Sequence, residues 1–431
     1  MVNRNAREME LLEKASRYLP GGGSGNTNFP DSLNFLAREG RGSHVWDVSG
    51  NEYVDWLMGS GPMVLGHSHP AVVEAVQEAA SQGSTFFTTN EKAVLLAEEL
   101  VNSVPCADKV RFTTSGTDAC FQCMRAARAY RKREKILKFE GGFHGTSDYA
   151  LMSVTPSATE EFPVAVPNSG GIPRAIQDLM LVAPYNDLET TASIISAHHD
   201  ELAAVIVEPV QRIISPRPGF LQGLRDLTQR YNIPLIFDEV VTGYRLAYGG
   251  AQVYYGVTPD LCSMGKIMGG GYPLAAVMGR EDIMSVYDQS LVDSDEYVNQ
   301  IGTLNGNPVA CAAGLATLAE MRKKGAYERL WNTGRKLREG LMEICADNGL
   351  TVQSSGEDPI FDIYFIDKPV LNYRDGLAAN GNLMARLNHG LLERGILKGW
   401  PQKYYPSLVH TDEDVERTLE AAREVVPALL Q

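Results

Sequence analysis

Residues 233–240 read IPLIFDEV, a strongly apolar run that stops on two adjacent carboxylates. A short apolar run with polar ends reads as a buried strand. It therefore delivers Asp238 and Glu239 to a place where an unpaired charge is costly, and such a charge calls for a cationic partner. The segments on either side repeat the pattern. KVRFTTSG (109–116), KILKFEGGFHG (135–145), AAVIVEPV (203–210) and DLCSMGK (260–266) are strand-like, and helical patterns separate them, one running through Tyr130 and one in GLRDLTQRYN (223–232). Strands alternating with helices pair in parallel through helical crossovers, which makes the fold class α/β. In such sheets ligands gather beyond the carboxyl ends of the strands.

The flanks read differently. Residues 1–60 hold a helix and then HVWDVSGNEYVDWL (44–57), two short strands around a Ser-Gly-Asn turn. From 311 onward come long helical patterns, the alternating IFDIYFI (360–366), and a last helix, DEDVERTLEAAREVV (412–426), with acidic residues in its first turn as the helix dipole favours. The expected organisation is a large α/β domain over 61–310 and a smaller α+β domain built from 1–60 and 311–431.

Bulk composition narrows the function classes. The chain has 431 residues, 44% hydrophobic and 21% charged, as globular domains do, with no apolar run long enough for a membrane span. A net charge of −14 argues against nucleic acid as the main partner. The charged, amphipathic N-terminus lacks the apolar segment of a secretory signal, and six cysteines in so long a chain suit a reducing compartment, so the expected location is cytoplasmic. Cys120 and Cys123 form a C-x-x-C without a second pair, and they read as buried packing on one helix face. His67, His69, His198 and His199 likewise lack the carboxylates of a metal site.

Every strand in the series ends in chemistry-bearing residues. Ser115, Gly116 and Thr117 open a helix after KVRFTT, which supplies free N–H groups, hydroxyls and a dipole suited to a phosphate, although Ser-Gly-Thr is also an ordinary cap. Phe143 and His144 lie in the glycine-rich turn GGFHG; Glu208 and Gln211 follow VIV; Asp238 and Glu239 end the next strand. Lys266 closes LCSM and precedes Gly269, Gly270 and Gly271, and with the glycines after it the order is wrong for a nucleotide phosphate loop. A phosphate cradle, a flat aromatic face, a buried carboxylate and a lysine amine are what pyridoxal 5′-phosphate requires. The carboxylate keeps its pyridine nitrogen protonated and the lysine forms the imine. Lys266 is thus read as the Schiff-base lysine.

The chain resembles the class III, fold-type I pyridoxal-phosphate aminotransferases, close to the glutamate-1-semialdehyde 2,1-aminomutase subgroup and its transaminase relatives. The resemblance runs nearly end to end through LPGG, VWDVSGNEYVDW, LGHSHP, RFTTSGTDA, GGFHG, VEPV, LIFDEVVTGYR, GKIMGGGYPLAA, GTLNGNP and SLVHTDEDVERTL. It implies Lys266 as imine former and proton carrier, Asp238 on the pyridine nitrogen, and Val240 and Phe143 on opposite ring faces. Ser115, Gly116 and Thr117 would hold the phosphate, with Thr303 reaching it from a neighbouring subunit, so a homodimer with shared sites is expected. Without the resemblance, Val240 reads as core and Thr303 as a turn cap.

The resemblance also frames the reaction. A transaminase leaves the cofactor as pyridoxamine phosphate and passes the amine to a second carbonyl compound, whereas the aminomutase returns it to the neighbouring carbon of the same molecule. Three departures favour the transaminase. Asn28 stands in SGNTN where the aminomutase has an arginine for the substrate carboxylate, and an amide does not replace a bidentate guanidinium. KGWPQKYYPSLVHT (398–411) lacks the aminomutase's acidic residue, and Gln211 matches the transaminase form of its strand end. A lyase or decarboxylase sharing the cofactor shell is a further alternative. Arg38, Arg245, Lys398 and Lys403 are candidate carboxylate partners, and Phe29, Trp56, Met58 and Tyr149 candidate pocket walls.

Overall fold

A computed structural model describes residues 3–25, 29–399 and 403–430. The chain divides into two units: Met1–Pro70, Lys324–Val370 and Ala378–Gln431 form the smaller, Ala71–Lys323 with Leu371–Leu377 the larger.

In the smaller unit β1 (Ala37–Arg41), β2 (His44–Asp47) and β3 (Glu52–Asp55) are antiparallel neighbours. The β2–β3 turn is fastened by Asp47, whose carboxylate accepts from the Asn51 N–H at 2.8 Å.

The larger unit is one seven-stranded sheet of β4 (Lys109–Thr113), β5 (Lys135–Phe139), β6 (Met180–Ala183), β7 (Leu202–Val207), β8 (Leu235–Glu239), β9 (Leu261–Met264) and β10 (Ala275–Gly279). The order across it is β4-β10-β9-β8-β7-β5-β6. Only β10 runs against its neighbours, between β4 and β9. From β6 to β10 every residue is buried, as expected of strands covered on both faces. β6 and β10 were not read from the sequence, because four or five apolar residues are too few to separate a strand from a helix segment.

The helix Pro308–Met321 belongs with this sheet rather than with the C-terminal segment. Its alanine-rich surface is buried nearly all round, and it approaches the loop after β9 so closely that a Cβ at Gly314 would collide with the Met268 carbonyl. Gly270, at φ +60°, would carry a Cβ 2.7 Å from the Ala313 carbonyl. Two of the glycines around this crossing therefore exist for backbone approach, one on each side.

The chain then completes the smaller unit with β11 (Gln353–Glu357) and β12 (Ile360–Tyr364), an antiparallel pair, and β13 (Ile396–Leu397), which lies parallel to β3. The helices Ala326–Asp347, Gly381–Glu393 and Asp412–Val425 bury one face each in a core around Trp56, Leu337, Phe361 and Leu387. Thr411 and Asp414 cap the last helix reciprocally, each side chain bonding the other's backbone N–H. Among the described residues no helix is long and apolar enough to cross a membrane.

Candidate active site

β8 lies in the interior of the large sheet, and its register with β9 pairs Asp238 with Ser263 and Glu239 with Met264. The parallel pairing carries Asp238 and Lys266 toward the same sheet edge, one at the end of β8 and the other two residues beyond β9. Four donors meet Asp238. His144 Nδ1 is 2.8 Å from Oδ2, and the Cys120 thiol donates to the same oxygen at 3.2 Å. The Val240 N–H (3.1 Å) and the Ser263 hydroxyl (3.2 Å) donate to Oδ1. Burial raises a carboxyl's pKa, but here the His144, Val240 and Cys120 hydrogen bonds outweigh it and hold Asp238 below the ordinary range. The adjacent Glu239 is shifted up by burial. It is satisfied by the start of the helix Ala251–Tyr255: the N–H groups of Ala251 and Gln252, the Gln252 amide at 2.9 Å, and the Thr242 hydroxyl at 3.0 Å.

The GGFHG turn is pinned from three directions. Glu208, at the end of β7, accepts from the Phe143 N–H at 2.9 Å and the Arg212 N–H at 3.4 Å. Thr117, in the first turn of the helix Gly116–Arg131, accepts from the Thr146 N–H at 3.3 Å. A Cβ on Gly145 would sit 2.5 Å from that Thr117 hydroxyl, so glycine is what lets the turn reach the helix start. From inside β5, Lys138 donates to the carbonyls of Gly142 (2.9 Å), Ala150 (3.2 Å) and Met152. Lys138 is fully buried, and burial pushes its ammonium down to about 7. It went unnoticed in the sequence, where a lysine inside KILKF was the only sign.

These contacts gather most of the expected residues. His144, Asp238 and the first turn holding Thr117 converge, and Val240 lies against Gly116, where a Cβ would be 2.8 Å from its Cγ1. Ser115 caps its own helix: its hydroxyl donates to Asp118 at 2.8 Å and accepts from the Asp118 N–H at 3.2 Å. Phe143 is 38% exposed, with the Arg212 guanidinium 5.3 Å from its ring centre. Gln211 donates to the Glu140 carbonyl at 2.8 Å, and Arg374 clamps the Glu140 carboxylate at 2.7 and 3.0 Å, a pair the sequence reading also missed. Among the described residues two buried polar atoms here have no partner, His144 Nε2 and Gln211 Oε1. They lie 3.3 and 3.4 Å from where a Gly142 Cβ would be, so they face the same small space.

Several other expected residues have partners of their own. Trp56 is a core residue of the smaller unit: its ring N–H donates to Thr418 at 2.8 Å and it stacks flat on His410, centroids 3.7 Å apart. Met58 is fully buried there, and Phe29 stacks on Phe35. Tyr149, in the larger unit, lies under the Arg128 guanidinium at 4.0 Å. Lys398 is buried against Asp362, 2.7 Å from each oxygen, and Arg38 is exposed on β1. Thr303 is exposed in the turn before the helix Pro308–Met321, and Asn28 lies outside the described residues.

Known proteins resemble the chain over nearly its whole length. The family described as Aminotransferase class-III matches residues 27–426. Among solved structures, an omega-transaminase from Sphaerobacter thermophilus is 35% identical with a TM-score of 0.94, the match covering 100% of this chain and 99% of that one. A transaminase with PLP bound is 29% identical, TM-score 0.89, over 98% and 97%. A glutamate-1-semialdehyde-aminomutase from Pseudomonas aeruginosa PAO1 is 26% identical, TM-score 0.88, over 98% and 94%.

Proposed function

The chain belongs to the class III aminotransferases, and from that membership we propose that it is a pyridoxal-phosphate transaminase moving an amino group from an amine or amino acid to a keto or aldehyde acceptor, with Lys266 as the amine that takes the cofactor. The single observation that carries this reading is Asp238, a buried carboxylate kept ionised beside the strand that leads to Lys266.

The residues fit the cofactor. An ionised carboxylate ringed by an imidazole, a thiol, a hydroxyl and a backbone N–H holds a negative charge ready for a protonated ring nitrogen. The unpartnered His144 Nε2 and Gln211 Oε1 leave polar capacity in the same region, and Gly116 lets the Val240 side chain lie against the start of the helix. When bound, pyridoxal phosphate supplies an electron sink that makes the carbon bearing the amine acidic. Asp238 would hold the ring nitrogen's proton, and His144 would orient that carboxylate. Val240 and Phe143 would flank the ring, while the first-turn N–H groups at Gly116 and Thr117, with Ser115, would meet the phosphate. Glu208 would hold Phe143 in place through its backbone, and Gln211 would contact the ring substituents. Lys266 would carry the proton between substrate and cofactor carbons.

Transamination is preferred to the aminomutase reaction because Asn28 replaces a carboxylate-binding arginine and Lys398 is already closed on Asp362. A homodimer accounts for the exposed apolar residues Phe86, Phe87, Ile301 and Leu304. Asn90 bonds the Gly306 carbonyl at 2.8 Å and so ties their two segments together, and a second copy covering them would bring Thr303 to its neighbour's site. Six free, buried cysteines fit a cytoplasmic, reducing location.

The test is an absorbance titration of the yellow holoenzyme with β- and α-amino acids, aryl-alkyl amines and 4,5-diaminovalerate. The transaminase reading expects an amine other than diaminovalerate to bleach the visible band and leave a ketone. A response to diaminovalerate alone, with glutamate semialdehyde isomerised in the absence of a second substrate, would overturn it in favour of the aminomutase.

A further inference from the structure

An ionised carboxylate offers about four lone-pair sites, and at Asp238 all are taken. Val240 and Ser263 fill Oδ1, while His144 and Cys120 fill Oδ2. A protonated ring nitrogen is a fifth donor. It reaches Asp238 only if one of the four turns away.

The four differ in how easily they leave. The Val240 N–H is backbone, held by the chain following β8. The His144 contact is the shortest at 2.8 Å, and its ring is locked in a turn held by Glu208, Thr117 and Lys138. Among the described residues the Ser263 hydroxyl's other hydrogen-bond partner is the Cys120 sulfur, a weak acceptor. Cys120 is the weakest donor, and the Ser263 Oγ lies 3.2 Å from its sulfur, as near as the carboxylate. Rotation about one bond moves the S–H from Asp238 to Ser263. Burial pushes the thiol's pKa well up, so a proton is always there to move.

We propose that Cys120 is a positioning residue for the reaction: its thiol holds the fourth site on Asp238 and swings to the Ser263 hydroxyl when the protonated ring nitrogen of pyridoxal phosphate arrives. The proposal rests on the reading that the cofactor binds at Asp238. It makes Cys120 more than the packing residue its C-x-x-C spacing suggested, and it separates Cys120 from Cys123, which has no such contact with Asp238.

The thiol reports its own bonding, since S–H stretching falls in an otherwise empty part of a protein's infrared spectrum. The experiment adds pyridoxal phosphate to cofactor-stripped protein and records the infrared difference spectrum, with Cys120→Ala and Cys123→Ala assigning the bands. The Cys120 band is expected to shift toward weaker hydrogen bonding, with the Cys123 band still. Cofactor dissociation constants provide the second readout. Cys120→Ala removes the competitor and should tighten binding about threefold, and Cys120→Ser installs a stronger donor and should weaken it by about the same factor. Loss of packing alone would make the alanine variant bind worse. Cofactor uptake with an unmoved Cys120 band, or weakening by both variants, would overturn the proposal. A wild-type chain that takes up no pyridoxal phosphate would overturn the functional reading first, and this inference with it.

Discussion

Asp238 and Asp362 are both buried carboxylates, one in each unit, and they are satisfied in opposite ways. Asp362 is closed: the Lys398 ammonium sits 2.7 Å from each of its oxygens. Burial pushes the acid up and the amine down, and each partner's charge pulls the other back toward its charged form. Asp238 is open in charge. Its partners are an imidazole, a thiol, a hydroxyl and a backbone N–H, none of them a permanent cation. A closed pair holds a fold together, and an open anion held in its ionised form is prepared for a ligand. Both carboxylates lie in short, fully buried strands, Asp238 near the end of β8 and Asp362 in the middle of β12, so the difference between structure and function lies in what surrounds them.

The comparison can be broken from either side. Lys398→Met leaves Asp362 buried and unpaired, and the expected cost is about 3–5 kcal/mol of stability. Urea unfolding measures it, and the folded fraction should retain its turnover. Asp238→Asn should do the reverse. Turnover is expected to fall about 10²–10³-fold, with a smaller change in unfolding midpoint than Lys398→Met causes. If the two variants showed the same pattern, the distinction between closed and open carboxylates would fail.

A buried histidine gives a subtler probe of the smaller unit. His410 accepts from the Ser407 N–H at 3.0 Å and faces the Asp55 carbonyl at 3.1 Å, so it is held neutral, and burial lowers its pKa from 6.5 to about 4. A depressed histidine contributes stability above its unfolded pKa and loses it as the pH falls toward the folded value. The window is therefore from about 6.5 down to 4, and the size is about 3 kcal/mol. Unfolding free energies at points across that window should fall with pH in the wild type, and the slope should flatten in His410→Gln. Turnover per folded molecule should not follow it, because His410 belongs to the core beneath Trp56.

How much of this was legible in the sequence depended on distance along the chain. The strands IPLIFDEV and DLCSMGK were readable because apolar runs and their polar ends are local. β6 and β10 were not, being short runs without contrast, and the helix Pro308–Met321 was assigned to the wrong side because its all-round burial comes from Met268 and Ala313 meeting across glycines. Asp238 and Lys266 were visible as chemistry at strand ends. Their supports were not: Cys120 lies 118 residues from Asp238 and His144 lies 94 away, and nothing in residue spacing records those bonds. The cationic partner expected at the end of β8 appears instead as amide and hydroxyl donors around Glu239. Trp56 was one of the candidate pocket walls, and the structure gives its N–H to Thr418 in the core.

Two lysines frame the central claim, Lys138 fully buried and Lys266 half-buried. Lys266 follows β9 beside Asp238, whereas Lys138 points from β5 into the carbonyls behind GGFHG, with a pKa near 7 that would also suit a nucleophilic amine. Borohydride reduction of the holoenzyme followed by peptide mapping distinguishes them, since reduction fixes the cofactor to whichever lysine holds it. The account predicts the label on Lys266 and an unlabelled Lys138. A label on Lys138, or reduced protein carrying none, would contradict it.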